Sequence, residues 1–178
     1  YFEEICKIPH GSGNTKQISD YLVQFAKDHD LKYVQDEMNN VVIYKPGTAG
    51  YENAPVVIIQ GHMDMVCEKR PDVEHDFTKD GLNLSVEGDY VSANGTTLGG
   101  DDGIAVAYGL ALLESDTIAH PPLEVFLTVD EEIGLLGAVG FDCSVLKGRR
   151  FINLDSEAEG SLWLSCAGGL SGVSHIPV

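Results

Sequence analysis

Four short stretches place carboxylates or an imidazole directly after an apolar run or a glycine cluster. They are Gly61-His62-Met63-Asp64-Met65, Gly99-Gly100-Asp101-Asp102-Gly103, Thr128-Val129-Asp130-Glu131-Glu132 and Asn153-Leu154-Asp155-Ser156-Glu157. Carboxylates gathered within a few ångströms of each other either take up protons or need a cation among them. No Lys or Arg stands inside any of the four stretches. A divalent ion, and with this many carboxylates a pair of ions, is the natural counter-charge. One imidazole among carboxylates suits zinc, manganese or cobalt better than calcium, which takes an all-oxygen shell.

Each stretch also has a plainer reading. A single histidine after a strand is commonly structural, but Asp64 lies two residues beyond His62, on the same side of an extended chain. From there it can orient the imidazole and raise its basicity. Either Asp101 or Asp102 could cap a following helix, so one is expected to cap while the other binds. Glu131-Glu132 alone could be a solvated acidic turn. Because neighbouring side chains diverge, however, one such dipeptide can supply both a metal ligand and a general base. Asp155 alone says little; its weight comes from the company of the other three stretches. His10, His29, His75, His120 and His175 lack such company and read as structural or solvated, with His75-Asp76, beside Asp72 and Glu74, the best candidate for a further metal contact.

The elements that would position these residues follow from periodicity. Phe2, Ile5 and Ile8 suggest a short helix before Pro9, and Ile18, Leu22, Phe25 and Ala26 lie on one face of a helix within 15–29. Lys32–Gln35 and Val41–Tyr44 read as strands paired across an Asn-Asn turn, followed by a Gly/Pro/Asn-rich loop over 46–55. The run Val56–Ile59 predicts a strand buried on both faces, and Leu123–Val129 and Phe151–Leu154 read as two more short apolar strands. Ile104–Leu113 predicts a helix packed on that sheet. Strands alternating with helices imply an α/β domain with a mostly parallel sheet flanked by helices. In such a sheet ligands bind beyond the carboxyl ends of the strands, so all four stretches would share one rim.

Composition bounds the rest. The 178 residues suit one domain or one domain with part of a second, and 43% hydrophobic residues provide a real core. A net charge of −17 argues against a nucleic-acid or anionic-membrane surface, since both need clustered positive charge. No apolar run is long enough to span a membrane, and no basic-then-apolar leader opens the sequence. The four cysteines, Cys6, Cys67, Cys143 and Cys166, are widely spaced, which suits neither a disulfide scaffold nor a thiolate zinc site. Scattered thiols fit a reducing compartment, hence a cytoplasmic protein.

GHMDMV at 61–66, TTLGGDDGIA at 96–105, TVDEEIG at 128–134 and NLDSEAEG at 153–160 resemble the dinuclear metallopeptidases that include carnosinase, peptidase T, aminoacylase and carboxypeptidase G. Within that group, GHMDMVCEKRPDVEHDFTKDG at 61–81 closely resembles the bacterial aminoacyl-histidine dipeptidases, also called Xaa-His dipeptidase or peptidase D. The resemblance runs over nearly the whole chain. It implies a zinc-exopeptidase-like catalytic domain with two divalent ions, Zn²⁺ foremost and Co²⁺ or Mn²⁺ as substitutes. His62 and Asp155 would bind one ion and Glu132 the other, with Asp101 bridging both and the Asp101–Asp102 peptide cis. Asp64 would stand behind His62, and Glu131 would be the general base. The implied substrate is a small unblocked dipeptide with a preference for C-terminal His, and the full-length enzyme is expected to be a homodimer.

Members of that family are more than twice as long. A lid, usually also the dimerisation domain, is inserted, and the return segment carries a histidine that completes the second metal site. Residues 1–160 therefore read as the N-terminal part of an incomplete catalytic domain, and 161–178 as its end and the entry to the lid. His175 lies before the lid and is not given the role of that last ligand. Two other readings stay open: an aminopeptidase or amino-acid deacylase on the same scaffold, and a metal-binding fragment that does not hydrolyse.

Overall fold

A computed structural model describes residues 1–156, 158, 160–166, 168 and 172–176. Helix α1 (Phe2–Cys6) and helix α2 (Lys16–Asp28) lead into strands β1 (Lys32–Gln35), β2 (Val41–Lys45) and β3 (Val57–His62). A hairpin of β4 (Leu84–Glu87) and β5 (Tyr90–Ala93) precedes helix α3 (Gly100–Glu114). Strand β6 (Leu123–Thr128), a short helix α4 (Leu136–Gly140), a 3-10 turn at Cys143–Val145 and strand β7 (Arg150–Asn153) complete the order.

The main sheet has the order β1-β2-β6-β3-β7. The expected α/β sheet with flanking helices is present, but its parallel character is confined to one half. Strands β6, β3 and β7 run parallel, whereas β1 and β2 join as an antiparallel hairpin whose second strand pairs antiparallel with β6. The cause is local: β1 and β2 are joined by a short turn around Asp36, and only antiparallel strands can close so tightly. The parallel half carries the site, because Gly61 pairs with Leu127, and His62 with Thr128, at the same ends of adjacent strands.

The sheet separates two apolar layers. On one face Ile59, Val125 and Leu127 pack with Ile18 and Leu22 of α2, Val106 and Leu110 of α3, and Ile5 of α1. On the other, Ile58 and Phe126 pack with Phe141 from the segment after α4. All six residues of β6 are buried, including Glu124, whose carboxylate accepts the backbone N–H groups of Lys147 and Gly148 at 3.0–3.1 Å. That anchor fixes the approach to β7, and a lone Glu within an apolar run carries no sequence signal for it. The β4–β5 hairpin was also unforeseen; most of its side chains are exposed, so no burial pattern marks it.

Of the isolated histidines, His175 is exposed and three others are held in structural roles. His10 and His120 are buried, with Nδ1 against the carbonyls of Ile8 (2.5 Å) and Pro121 (2.7 Å). His29 closes α2, its ring stacked on Phe25. His75-Asp76 does not join a metal-binding group among the described residues; Asp76 instead accepts from Thr78 and Lys79. Of the acidic stretch after β7, Glu157 lies outside the described residues, as does part of the expected lid entry at 161–178.

Candidate metal centre

The rim is assembled by three strand ends and one helix start. His62 closes β3 and is buried. Its Nδ1 lies 2.9 Å from the backbone carbonyl of Asp64 and 3.4 Å from that residue's carboxylate. A carbonyl can only accept, so Nδ1 carries a proton, and Nε2 on the far side of the ring is the atom turned toward the rim. Nε2 stands 3.1 Å from Asp101 Oδ1 and 3.9 Å from a Glu131 oxygen. Nε2 and a carboxylate oxygen that close need either a proton or a cation between them.

Asp64 is the hub behind this arrangement. Its buried carboxylate accepts the Ser12 hydroxyl at 2.7 Å, the Glu131 N–H at 3.1 Å and the Glu132 N–H at 3.4 Å. One carboxylate thus fixes the loop after β6 relative to His62. Asp130, in the left-handed region with φ 54°, turns that loop, and its side chain accepts the Gly13 N–H at 2.7 Å. Burial tends to raise the Asp64 pKa, but the hydrogen bonds from His62, Ser12 and Glu131 hold it below the usual carboxylate range.

Helix α3 starts at the rim. Gly99, in the left-handed region with φ 67°, precedes it, and neither Asp101 nor Asp102 caps it with a side chain. The expectation that one of the pair would cap is therefore replaced by two separate tasks. The Asp101 side chain is 58% exposed and faces His62, whereas Asp102 is buried and accepts the His62 N–H at 3.1 Å. The peptide between them is cis. Gly61 makes the close approach of α3 possible, since a Cβ there would stand 2.4 Å from Ala105 Cβ and 2.5 Å from Asp102 Oδ2.

Among the described residues two ligand groups emerge: His62, Asp101 and Glu132, and His62, Asp102 and Asp155. In each, one potential ligand atom per residue lies within 4.8 Å of the others. The structure thus brings together His62, Asp101, Glu132 and Asp155 at one rim, with Asp64 and Glu131 beside them. It adds Asp102, which the sequence offered only as the alternative to Asp101. The donor set of imidazole and carboxylates, with no lysine or arginine paired to Asp101, Glu131 or Glu132 among the described residues, fits divalent ions of the zinc type.

Electrostatics point the same way. Burial would lower the His62 pKa, yet Asp64, with Asp102 and Asp155, raises it to about 10. Burial pushes the Asp102 carboxyl up to about 7 against the opposing effect of His62. Glu131 and Glu132 both lie above the ordinary range, first through burial and then through neighbouring carboxylates. A rim that holds protons this firmly has a negative potential that an ion would relieve.

No protein-family model matches the chain. It is 44% identical, over 98% of its length, to the cytosol non-specific dipeptidase of Escherichia coli, and spans 36% of that protein. It superposes on aminoacylhistidine dipeptidase from Vibrio alginolyticus with a TM-score of 0.87 and 45% identity, covering 89% of this chain and 32% of that one. A tripeptidase from Staphylococcus aureus matches with a TM-score of 0.72 and 25% identity over 88% of this chain and 42% of its own. The chain thus spans about a third of the length of the two dipeptidases.

Proposed function

We propose that this chain carries the strand-end half of the active site of a dinuclear metallodipeptidase, one that hydrolyses small unblocked dipeptides. The observation that carries the reading is His62 Nε2 facing Asp101 Oδ1 at 3.1 Å, with Glu132 and Asp155 close by. His62 and Asp155 would hold one divalent ion, Glu132 the other, and Asp101 would lie between them. Zn²⁺ fits this donor set best, with Co²⁺ or Mn²⁺ as substitutes. Bound ions would polarise the scissile carbonyl and make a water acidic enough to attack near neutral pH.

The chain's own residues supply the proton chemistry. Glu131 is the general base: its carboxylate takes a proton from the attacking water and returns it to the leaving amine. Its half-buried position among carboxylates raises its pKa, which suits both halves of that exchange. Asp64 keeps the His62 proton on Nδ1 and holds Glu131 in place through its backbone. The carboxylate-rich rim favours a substrate carrying a free N-terminal amine.

Substrate range is argued from the relatives. One is named for aminoacyl-histidine substrates and another for non-specific dipeptides, so dipeptides with and without C-terminal His both belong in the test panel. The name of the E. coli relative supports a cytosolic location, and no helix among the described residues is long and apolar enough to cross a membrane. Residues 1–160 are read as part of the catalytic domain, and the full-length protein as a homodimer. The deciding experiment is Glu131→Gln: dipeptide hydrolysis is expected to fall at least about a hundredfold while bound zinc is retained. Unchanged turnover would remove Glu131 from the chemistry.

A further inference from the structure

HGSGN at 10–14 reads in sequence as a flexible turn with Ser12 and Asn14 as plausible helix caps, yet α2 is entered at Thr15 with no side-chain cap. In the structure this segment is a strap across the back of the rim. Gly11 bridges Met65 in parallel register, the Ser12 N–H donates to the Met65 carbonyl at 3.3 Å, and the Met65 N–H donates to the His10 carbonyl at 3.2 Å. The Ser12 hydroxyl then donates to Asp64 Oδ2 at 2.7 Å, and the Gly13 N–H to Asp130 Oδ1 at 2.7 Å. Adjacent residues of one strap therefore grip the loop after β3 and the loop after β6.

We infer that Ser12 is a positioning residue for the metal centre, acting through Asp64. The inference rests on the metallopeptidase reading above. Asp64 Oδ2 receives both Ser12 Oγ and the Glu132 N–H, while Oδ1 receives the Glu131 N–H and faces His62 Nδ1. With the Ser12 hydroxyl in place, the carboxylate has one rotation that serves all of these partners. Without it, Oδ2 keeps only the longer 3.4 Å contact, and the Glu131 N–H at Oδ1 is left as the main restraint on the plane of the carboxylate against His62. The orientation of the imidazole and the placement of Glu132 then loosen together. A hydroxyl is well suited to the task because it donates without adding a charge to a group that must stay anionic.

The test uses Ser12→Ala, Ser12→Thr and, as a control, Ser19→Ala. Ser19 is a buried hydroxyl away from the rim, where it donates to the Asn39 carbonyl at 2.7 Å. Each protein is titrated with Co²⁺ alone, and the visible absorption of the bound ion is recorded with its affinity. Ser12→Ala is expected to weaken Co²⁺ binding roughly 3–10-fold, less than loss of a direct partner of a ligand would, and to alter the band shape. Ser12→Thr, which keeps the hydroxyl, should restore both, and Ser19→Ala should lower the melting temperature without moving either. Co²⁺ affinity and spectrum unchanged in Ser12→Ala would overturn the role given to Ser12 while leaving the metal centre standing. Absence of Co²⁺ binding by the unsubstituted protein would overturn the metallopeptidase reading and this inference with it.

Discussion

Asp64 shows how much of the site depends on one side chain that touches no substrate. It accepts from Ser12, Glu131 and Glu132 and faces His62 Nδ1, so its charge and its shape serve different partners. Asp64→Asn keeps the shape and removes the charge; zinc affinity is expected to fall roughly 10–100-fold with the fold retained, as calorimetric titration would read. Unchanged affinity would reduce Asp64 to a tie between loops. At this scale His62, Asp64 and the Glu131-Glu132 pair stood out because an apolar strand ending in acidic or imidazole groups is an unusual pattern, whereas only the family resemblance singled out Asp101 from Asp102. Ser12 was not legible, since its partner lies 52 residues away and nothing in a Gly-Ser-Gly turn announces a long-range hydrogen bond. The division of labour between Asp101 and Asp102 was also hidden, because it depends on which carboxylate turns toward the backbone of β3.

Elements set the distances that these residues need. Helix α3 can start beside β3 only because Gly61 has no side chain. Gly61→Ala is expected to destabilise the fold by about 1–3 kcal/mol through overpacking and to push Asp101 away from His62. Urea unfolding and zinc titration check the two effects separately. Adding Ala105→Gly should recover part of the stability, because it removes the 2.4 Å clash but leaves the one with Asp102. At the other side of the sheet, Glu124 holds the chain leading into β7, and so the position of Asp155. Glu124→Ala would strand the N–H of buried Gly148 and remove the partner of the Lys147 N–H; a loss of about 1–3 kcal/mol is expected, measured by urea unfolding, with Glu124→Gln retaining part of it. The helices and central strands were readable from their apolar periodicity. The mixed sheet was not, because the strand count alone does not say that β2 pairs with β6 rather than with β3. The β4–β5 hairpin escaped because its exposed side chains, such as Val86 and Tyr90, carry no alternation of burial.

The whole molecule sorts its four thiols by depth. Cys6 is buried and its thiol is pushed up to about 11 by burial and by Glu3, whereas Cys67, Cys143 and Cys166 are exposed. Iodoacetamide at pH 8 should therefore label the three exposed cysteines of the native protein and leave Cys6 unmodified until it unfolds. Rapid labelling of Cys6 would mean that α1 is not packed as described. The raised thiol also sets a sign for alkaline stability. The folded state disfavours the thiolate, so this contribution is intact below the ordinary thiol pKa and is lost as pH rises through about 11. Across the same molecule, the excess of acidic groups concentrates part of its negative charge at one rim, and that concentration is the basis of the functional reading. The most direct measurement is equilibrium dialysis against zinc, comparing the unsubstituted protein with Asp101→Ala and with Glu68→Ala, which alters a carboxylate outside both ligand groups. The account predicts that zinc binds, that Asp101→Ala weakens it roughly tenfold or more, and that Glu68→Ala leaves it unchanged. Zinc held equally well without the Asp101 carboxylate, or not held at all by the unsubstituted protein, would contradict it.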